Sequence, residues 1–295
     1  MLKRIMMFLL MNAAIMVLLT ITFTVLERVF GIQLTGNAYL FVFALIIGFG
    51  GSFISLALSK WMAKRSYNIQ PIQIDQLSEL GKKERLVWDV VNDLAERHHI
   101  KTPEVGIYED AEANAFATGS SKNNSLVAVS TGLLDVMDEK AIEGVIAHEM
   151  AHILNGDMVT MALLQGVLNT FVVFISRSIA NIISNFLDEE LSWIAHLALV
   201  IVLEILFGLL ASLVLMKFSR HREFKADAGA AEFVGKEKMI AGLRTLKDLQ
   251  KFAAKDEGTF ASMKISSKKK GGMRSLFASH PDIDARIKAL EEMSI

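Results

Sequence analysis

Two histidines four residues apart enclose a glutamate in the run His148-Glu149-Met150-Ala151-His152. On a helix, that spacing puts both imidazoles on one face, close enough to share a tetrahedral cation. Glu149 points toward the same cleft. It is placed to hold a water at the metal, take its proton during attack on a peptide carbonyl, and return it to the leaving nitrogen. A zinc ion lowers the pKa of water to about 7 and polarises the carbonyl, so this chemistry needs no covalent nucleophile. The chain has no cysteine, which excludes disulfides and thiolate ligation and leaves His, Asp or Glu to hold a metal. Val145, Ile146, Ala147 and Ala151 flank the motif with apolar or small groups, which argues against two polar residues on a solvated helix face.

A catalytic zinc keeps one position open, so a third protein ligand must come from elsewhere. Glu223 and Asp227 stand four apart and face one way on a helix. A glutamate in this setting binds the metal, while an aspartate one turn on accepts a hydrogen bond from a ligand histidine. His221 is the competing ligand, although it lacks an orienting partner at the matching position. One Zn2+ per chain is the expected cofactor.

The elements that must position these residues follow from the apolar pattern. At 295 residues and 52% hydrophobic, the chain is too apolar for an ordinary soluble protein. Ile5 to Leu26 and Ala38 to Ser59 carry no charge, and each exceeds the roughly 20 residues that cross a bilayer. Val159 to Leu187 and Leu191 to Met216 are long enough to form a second pair, with Arg177 in the first and His196 and Glu204 in the second. The first run has the charged start of a signal peptide but no small-residue cleavage site, and reads as a retained anchor. Lys60, Lys64 and Arg65 follow the second span and Lys217, Arg220, Arg222 and Lys225 the fourth, whereas the connection Asp188-Glu189-Glu190 is acidic. Basic flanks stay inside, which puts both termini and the polar bulk in the cytoplasm.

The expected organisation is an N-terminal transmembrane hairpin over 1–65, a first catalytic part over 66–158, a second hairpin over 159–216 and a second catalytic part over 217–295. A hairpin returns the chain to where it left, so the two polar parts can fold together. If the flanking helices run straight out of the membrane, His152 and Glu223 each stand roughly 10 Å above it.

Within the polar parts, Leu86, Val87, Val90, Val91 and Leu94 give an amphipathic helix over Lys83 to Ile100. Its end carries His98 and His99 as polar C-terminal residues. Glu104 to Tyr108, Asn114 to Ala117 and Leu126 to Val129 read as short strands of a partly antiparallel sheet. Asp138 is a candidate N-cap for the motif helix, which ends at Asn155-Gly156. Phe218 to Val234, Lys236 to about Ala254, and a short stretch after His280-Pro281 are helical, with a low-hydrophobicity segment from Lys255 to Arg274 read as flexible. The fold class is thus a membrane protein, mainly α with a small β-sheet, with four transmembrane helices and a cytoplasmic zincin-like catalytic domain of the gluzincin kind. A net charge of −1 gives no footprint for nucleic acid. The one dense basic run, Lys268-Lys269-Lys270, reads as a solvated loop, with contact to anionic lipid as the alternative.

His148-Glu149-x-x-His152, Glu223-Phe224-x-Ala226-Asp227 and Asn114-Ala115-Phe116-Ala117-Thr118-Gly119, set among four apolar segments, resemble the HtpX family of bacterial membrane-bound heat-shock zinc metalloproteases. That family is similar in turn to the larger membrane zinc proteases that process CAAX proteins. The resemblance implies Glu223 as third zinc ligand, cleavage of damaged or misassembled membrane proteins or unfolded polypeptides on the cytoplasmic side of the bacterial inner membrane, and overlap with ATP-dependent membrane proteolysis. It further implies that Asn114, Ala115 and Phe116 lie on an edge strand that aligns the substrate backbone, and that His280 supplies a transition-state hydrogen bond. Taken alone, Asn114 reads as a turn residue and His280 as a helix start.

Arg177 and Glu204 lie at similar distances from the acidic connection, and charges at membrane depth are usually paired. The expectation is an ion pair across the second hairpin; the alternative is a water-filled cavity. Charged and polar residues on both sides of the motif argue against an intramembrane protease. The rival of a different class is a metal-binding membrane scaffold or transporter without a hydrolytic step, which has little use for Glu149.

Overall fold

The computed structural model describes residues 16–185, 189–256 and 281–294. The chain divides into two compact units, Met1–Ala57 with Thr160–Leu215, and Leu58–Val159 with Met216–Ile295.

The second unit is built on a four-stranded mixed sheet of order β1-β2-β4-β3, comprising β1 (Gln70–Pro71), β2 (Glu104–Tyr108), β3 (Ala115–Ser121) and β4 (Asn124–Ser130). β2 and β4 run parallel with Val105 opposite Val127, and β3 pairs antiparallel with β4, with Phe116 opposite Ala128. Val127 and Val129 face the main core while Leu126 and Ala128 face a second cluster with Ile69 and Tyr108, as the two-residue period of a strand requires. β4, one of the two interior strands, is therefore buried on both faces and carries a continuous apolar run. Sequence reading misses β1, since two residues beginning Gln-Pro have no strand pattern.

Helices α3 (Lys82–Arg97) and α5 (Glu139–Asn155) enclose the main core, where Val87, Leu94, Ile142, Ile146 and Met150 are fully buried. The short α4 (Thr131–Val136) links β4 to α5. Asp138 caps α5 by accepting from Ala141 N at 2.8 Å. At the other end Gly156 adopts φ 71°, a left-handed conformation that costs glycine little, and its N–H returns to the His152 and Ile153 carbonyls. α6 (Asp157–Ser184) begins immediately after. His152 consequently does not stand on a straight continuation of a membrane helix, which removes the equal-height argument on that side. α8 (Lys236–Asp256) and α9 (Ile283–Glu291) complete the unit, docked on one another by Lys247 with Asp284 and Arg244 with Glu291.

The first unit is helical: α1 (16–28), most of α2 (Gly36–Ser66), and the apolar lengths of α6 and α7 (Glu189–Val234). Among the described residues three helices, Gly36–Ser66, Asp157–Ser184 and Trp193–Val234, are long and apolar enough to cross a membrane. The expected span Ile5 to Leu26 lies partly outside the described residues, as does Asp188 of the acidic connection. α2 and α6 approach closely: a Cβ on Gly48 would sit 2.3 Å from Thr170 Oγ1. Small residues are what let membrane helices pack at such range. α6 and α7 pair antiparallel through Ser184 Oγ with His196 Nδ1 at 3.1 Å and, two turns further along, Arg177 with Glu204.

Candidate active site

The site is carried by α5, α7 and α9. His148 and His152 lie one turn apart on α5, and Glu223 comes from the far end of α7. Their facing atoms form a tight triangle, with His148 Nε2 3.1 Å from His152 Nε2, His152 Nε2 3.4 Å from Glu223 Oε1 and His148 Nε2 3.6 Å from Glu223 Oε2. Zinc-to-ligand distances near 2.0–2.1 Å place tetrahedral ligands about 3.3 Å apart, so this triangle has the dimensions of one face of a zinc tetrahedron.

The carboxylates beside the two imidazoles agree with that reading. His152 Nδ1 meets Asp157 Oδ2 at 2.6 Å, and His148 Nδ1 meets Asp227 Oδ1 at 2.9 Å, the latter off the N–H direction and therefore a charge contact more than a directed hydrogen bond. With the proton of each imidazole on Nδ1, as metal ligation through Nε2 requires, the two Nε2 lone pairs face each other at 3.1 Å. Only a cation or a proton between them relieves the repulsion. Among the described residues, His148, His152 and Glu223 are the one group of three such side chains able to hold a metal.

Arg286 on α9 completes the centre. It grips Asp227 with two bonds, Nε to Oδ2 at 2.7 Å and Nη2 to Oδ1 at 2.6 Å, and its Nη1 lies 3.3 Å from Glu223 Oε2. Glu223 and Asp227 are each 2% exposed and Arg286 6%, so these charges exist in the interior only because they are mutually satisfied. Burial alone would raise the Asp227 pKa, but Arg286 and His148 hold it below the usual carboxylate range. Burial likewise would lower both histidines; carboxylates outweigh it, with Asp227 and Glu223 holding His148 above its ordinary value and Asp157 and Glu223 pushing His152 up to about 9.

The centre opens on a cleft of about 600 Å³ bordered by Glu149, Asn114, Ala115, Leu243, Pro281 and Arg286, among others. β3 is the edge of the sheet. Ser130 N donates to Asn114 O at 2.9 Å, so the alternation of an antiparallel pair aims the backbone groups of Ala115 and Ala117 outward, along the free edge. Phe116 departs from the expected substrate-facing set: its side chain lies on the opposite face of the sheet, 5.4 Å from Tyr67 and 5.9 Å from Tyr108. The period of two that faces Ala115 to α5 necessarily turns Phe116 away. His221 is exposed on α7 and takes no part in the triangle. His280 and Lys268-Lys269-Lys270 lie outside the described residues, as does most of the Lys255 to Arg274 segment, while Arg177 and Glu204 pair within the membrane unit at 3.7 Å.

Sequence reasoning misses Asp157 and Arg286. A signal existed for each: Arg286 interrupts the apolar stripe Ile283, Ile287, Leu290 at a core-facing position, and Asp157 follows directly on the helix-ending Gly156.

Three side chains able to hold a cation beside a carboxylate, on a cleft bordered by the edge strand of the sheet, suit hydrolysis of an extended peptide, and three helices suited to a bilayer accompany them. The class is that of the membrane metalloproteases. The chain belongs to peptidase family M48, whose family model matches residues 82–294. It is 48% identical over 297 residues to "Protease HtpX" of Tolumonas auensis, covering 99% of both chains, and 48% identical over 298 residues to "Protease HtpX homolog" of Bacillus subtilis, covering 98% of this chain and 99% of that one. In fold it is similar to the crystal structure of S. mikatae Ste24p, with a TM-score of 0.63 and 17% identity, over 98% of this chain and 65% of that one.

Proposed function

We propose that the protein is a zinc endopeptidase of the bacterial inner membrane that cuts misfolded or damaged membrane proteins on the cytoplasmic side. The observation that carries the reading is the His148, His152, Glu223 triangle with both Nδ1 atoms facing carboxylates. A zinc ion held there supplies Lewis acidity and lowers the pKa of water toward about 7. Glu149 takes the proton of the attacking water and returns it to the leaving nitrogen. Asp157 and Asp227 orient the two imidazoles, and Arg286 holds Asp227 and faces Glu223, so the ligand set is fixed before substrate arrives. The substrate backbone adds to the free edge of β3 through Ala115 and Ala117, with Asn114 at the strand's start. His280, next to cleft-bordering Pro281, is the candidate for an added transition-state hydrogen bond.

Four spans, cytoplasmic termini and a catalytic domain assembled from 66–158 and 217–295 form the matching topology, supported by the basic flanks of α2 and α7. Overlap with ATP-dependent membrane proteolysis belongs to the same reading. The test is detergent purification followed by metal analysis and a casein-type cleavage assay. The native chain cleaves; Glu149→Gln retains the metal and loses activity by on the order of 10²–10⁴-fold. Full proteolysis by Glu149→Gln would sink the mechanism, and metal binding without proteolysis in the native chain would favour the scaffold or transporter.

A further inference from the structure

The membrane unit contains a polar site that the catalytic chemistry does not use. Arg177 on α6 and Glu204 on α7 face one another with Nη2 3.7 Å from Oε1, beyond hydrogen-bond range, and their side chains remain 36% and 34% exposed. Arg177 Nε and Glu204 Oε1, which are turned inward and buried, have no hydrogen-bond partner among the described residues, so the exposed third of each side chain belongs to its other atoms. The guanidinium rests on the Phe43 ring of α2, 5.0 Å from its centroid, which supports the charge without satisfying its donors. The surrounding surface of α7 is aliphatic: Ile201, Val202, Ile205, Leu206 and Leu209 are all about half exposed. Only 6% of the most apolar window of this helix is buried. Surface of that composition faces lipid. A charged pair left partly open at such a surface is costly, and something must cover it.

One turn beyond Glu204 on the same face lies Gly208, and a Cβ built there would meet nothing within 4 Å. Ser212 follows after another four residues. A small residue with open space over it, bordered by a partly unsatisfied charge pair, fits the close approach of another helix, because interhelical contacts in lipid rest on small residues and side-chain hydrogen bonds.

We propose that the Arg177, Glu204 and Gly208 surface docks a transmembrane helix of the substrate that carries a polar side chain within its span. This rests on the proposed proteolytic function and names the substrate class. A membrane protein that has lost its partners exposes to lipid the polar residues those partners covered, and such a residue is driven to any available donor or acceptor. The pair offers both: guanidinium N–H groups to an amide or carboxylate oxygen, and carboxylate oxygens to an amide, hydroxyl or ammonium. A correctly assembled protein presents only aliphatic surface and gains nothing there. Selection of misassembled substrates is thereby made inside the bilayer, apart from the chemistry.

The experiment uses the full-length protein in liposomes and two substrates that share one cleavable extramembrane segment, fused to an all-leucine helix or to the same helix with a central Asn. The readout is the ratio of their cleavage rates within each variant, so a general loss of activity cancels. The native protein is expected to prefer the Asn helix by about tenfold. Arg177→Leu/Glu204→Leu and, separately, Gly208→Leu bring the ratio near one. Because the chain has no cysteine, Gly208→Cys offers a single crosslinking point: disulfide capture of a cysteine beside the substrate's Asn is expected, and capture only of a second copy of the chain would reassign the surface to self-association and overturn the proposal. So would a native ratio near one, or a preference kept in both altered proteins; if the double variant does not fold, the native ratio and Gly208→Leu decide. Casein cleavage separates the two levels. Its absence in the native protein counts against the proteolytic reading, whereas casein cleavage without helix preference counts against this inference alone.

Discussion

Among the described residues, two clusters of opposite charge drawn out of water are finished differently. In the catalytic unit Arg286 and Asp227 are joined by two hydrogen bonds, Glu223 and His148 are held beside them by charge contacts, and only the His152 side chain, 13% exposed, is less than fully buried. In the membrane unit Arg177 and Glu204 meet at 3.7 Å, each a third exposed, with one buried donor and one buried acceptor atom unpartnered among the described residues. A closed network fixes geometry, as a metal centre requires, because every displacement breaks several contacts at once. An open pair leaves the exposed part of both side chains within reach of a ligand. The difference is between a preorganised centre and a surface that recognises.

The sharpest contrast lies in what happens when one partner is removed. Arg286→Leu leaves Asp227 charged and buried without its main partner, which costs about 3–5 kcal/mol by the measure of broken buried pairs. Thermal unfolding of the purified protein checks this, and an unchanged midpoint would mean that the network is not a stabilising unit. Asp157→Asn keeps the size of the side chain but weakens its hold on His152 Nδ1, so the fold survives while metal affinity falls about 10–100-fold, read by competition with a chelating dye. Equal affinity would remove Asp157 from the set of orienting groups. Across the hairpin, a double-mutant cycle on Arg177→Leu and Glu204→Leu should give a coupling of about 0.6 kcal/mol, the usual size for polar contacts between membrane helices. A coupling as large as that of Arg286 would erase the distinction between the two clusters.

A comparably small effect belongs to a third, surface cluster. Lys60 and Lys64 of α2 bond Glu104 at 3.1 and 3.0 Å at the start of β2. Burial raises the Glu104 pKa, but the two ammonium groups outweigh it and hold the carboxyl below its ordinary value. A lowered folded-state pKa contributes stability that is present above the unfolded value and is lost as pH falls through the folded value. The contribution therefore disappears in the acid range, below the ordinary glutamate range. Glu104 is about a third exposed, so solvent screening limits it to about 0.2–1 kcal/mol. Comparing the native chain with Glu104→Gln at neutral and acid pH checks the sign: the difference in melting temperature narrows as pH falls.

What the sequence revealed of this arrangement depended on distance along the chain. His148, Glu149 and His152 announce themselves because helical spacing alone brings them together, and Glu223 is found through Asp227 one turn on. The α5 boundaries were legible for the same reason, since Asp138 and Gly156 act on their own neighbours. Arg286 bonds a residue 59 positions away, and no local pattern states where α9 docks; only its misplaced charge in an apolar stripe hints at burial. The free edge of β3 was expected, yet which residues border the cleft depends on register with β4, and register turns Phe116 to the far face. The Arg177 and Glu204 pairing was legible because a hairpin fixes register by counting from its connection, whereas the 3.7 Å separation that leaves it open was not.

The central claim is that Glu223, delivered by the same helix that carries Glu204, completes a three-ligand zinc centre with His148 and His152. Metal content measured on the purified native chain, Glu223→Ala and His221→Ala tests it most directly. The account predicts one zinc per chain in the native protein and in His221→Ala, with loss of tight binding in Glu223→Ala. Stoichiometric, native-affinity zinc in Glu223→Ala, or its loss in His221→Ala, would contradict it.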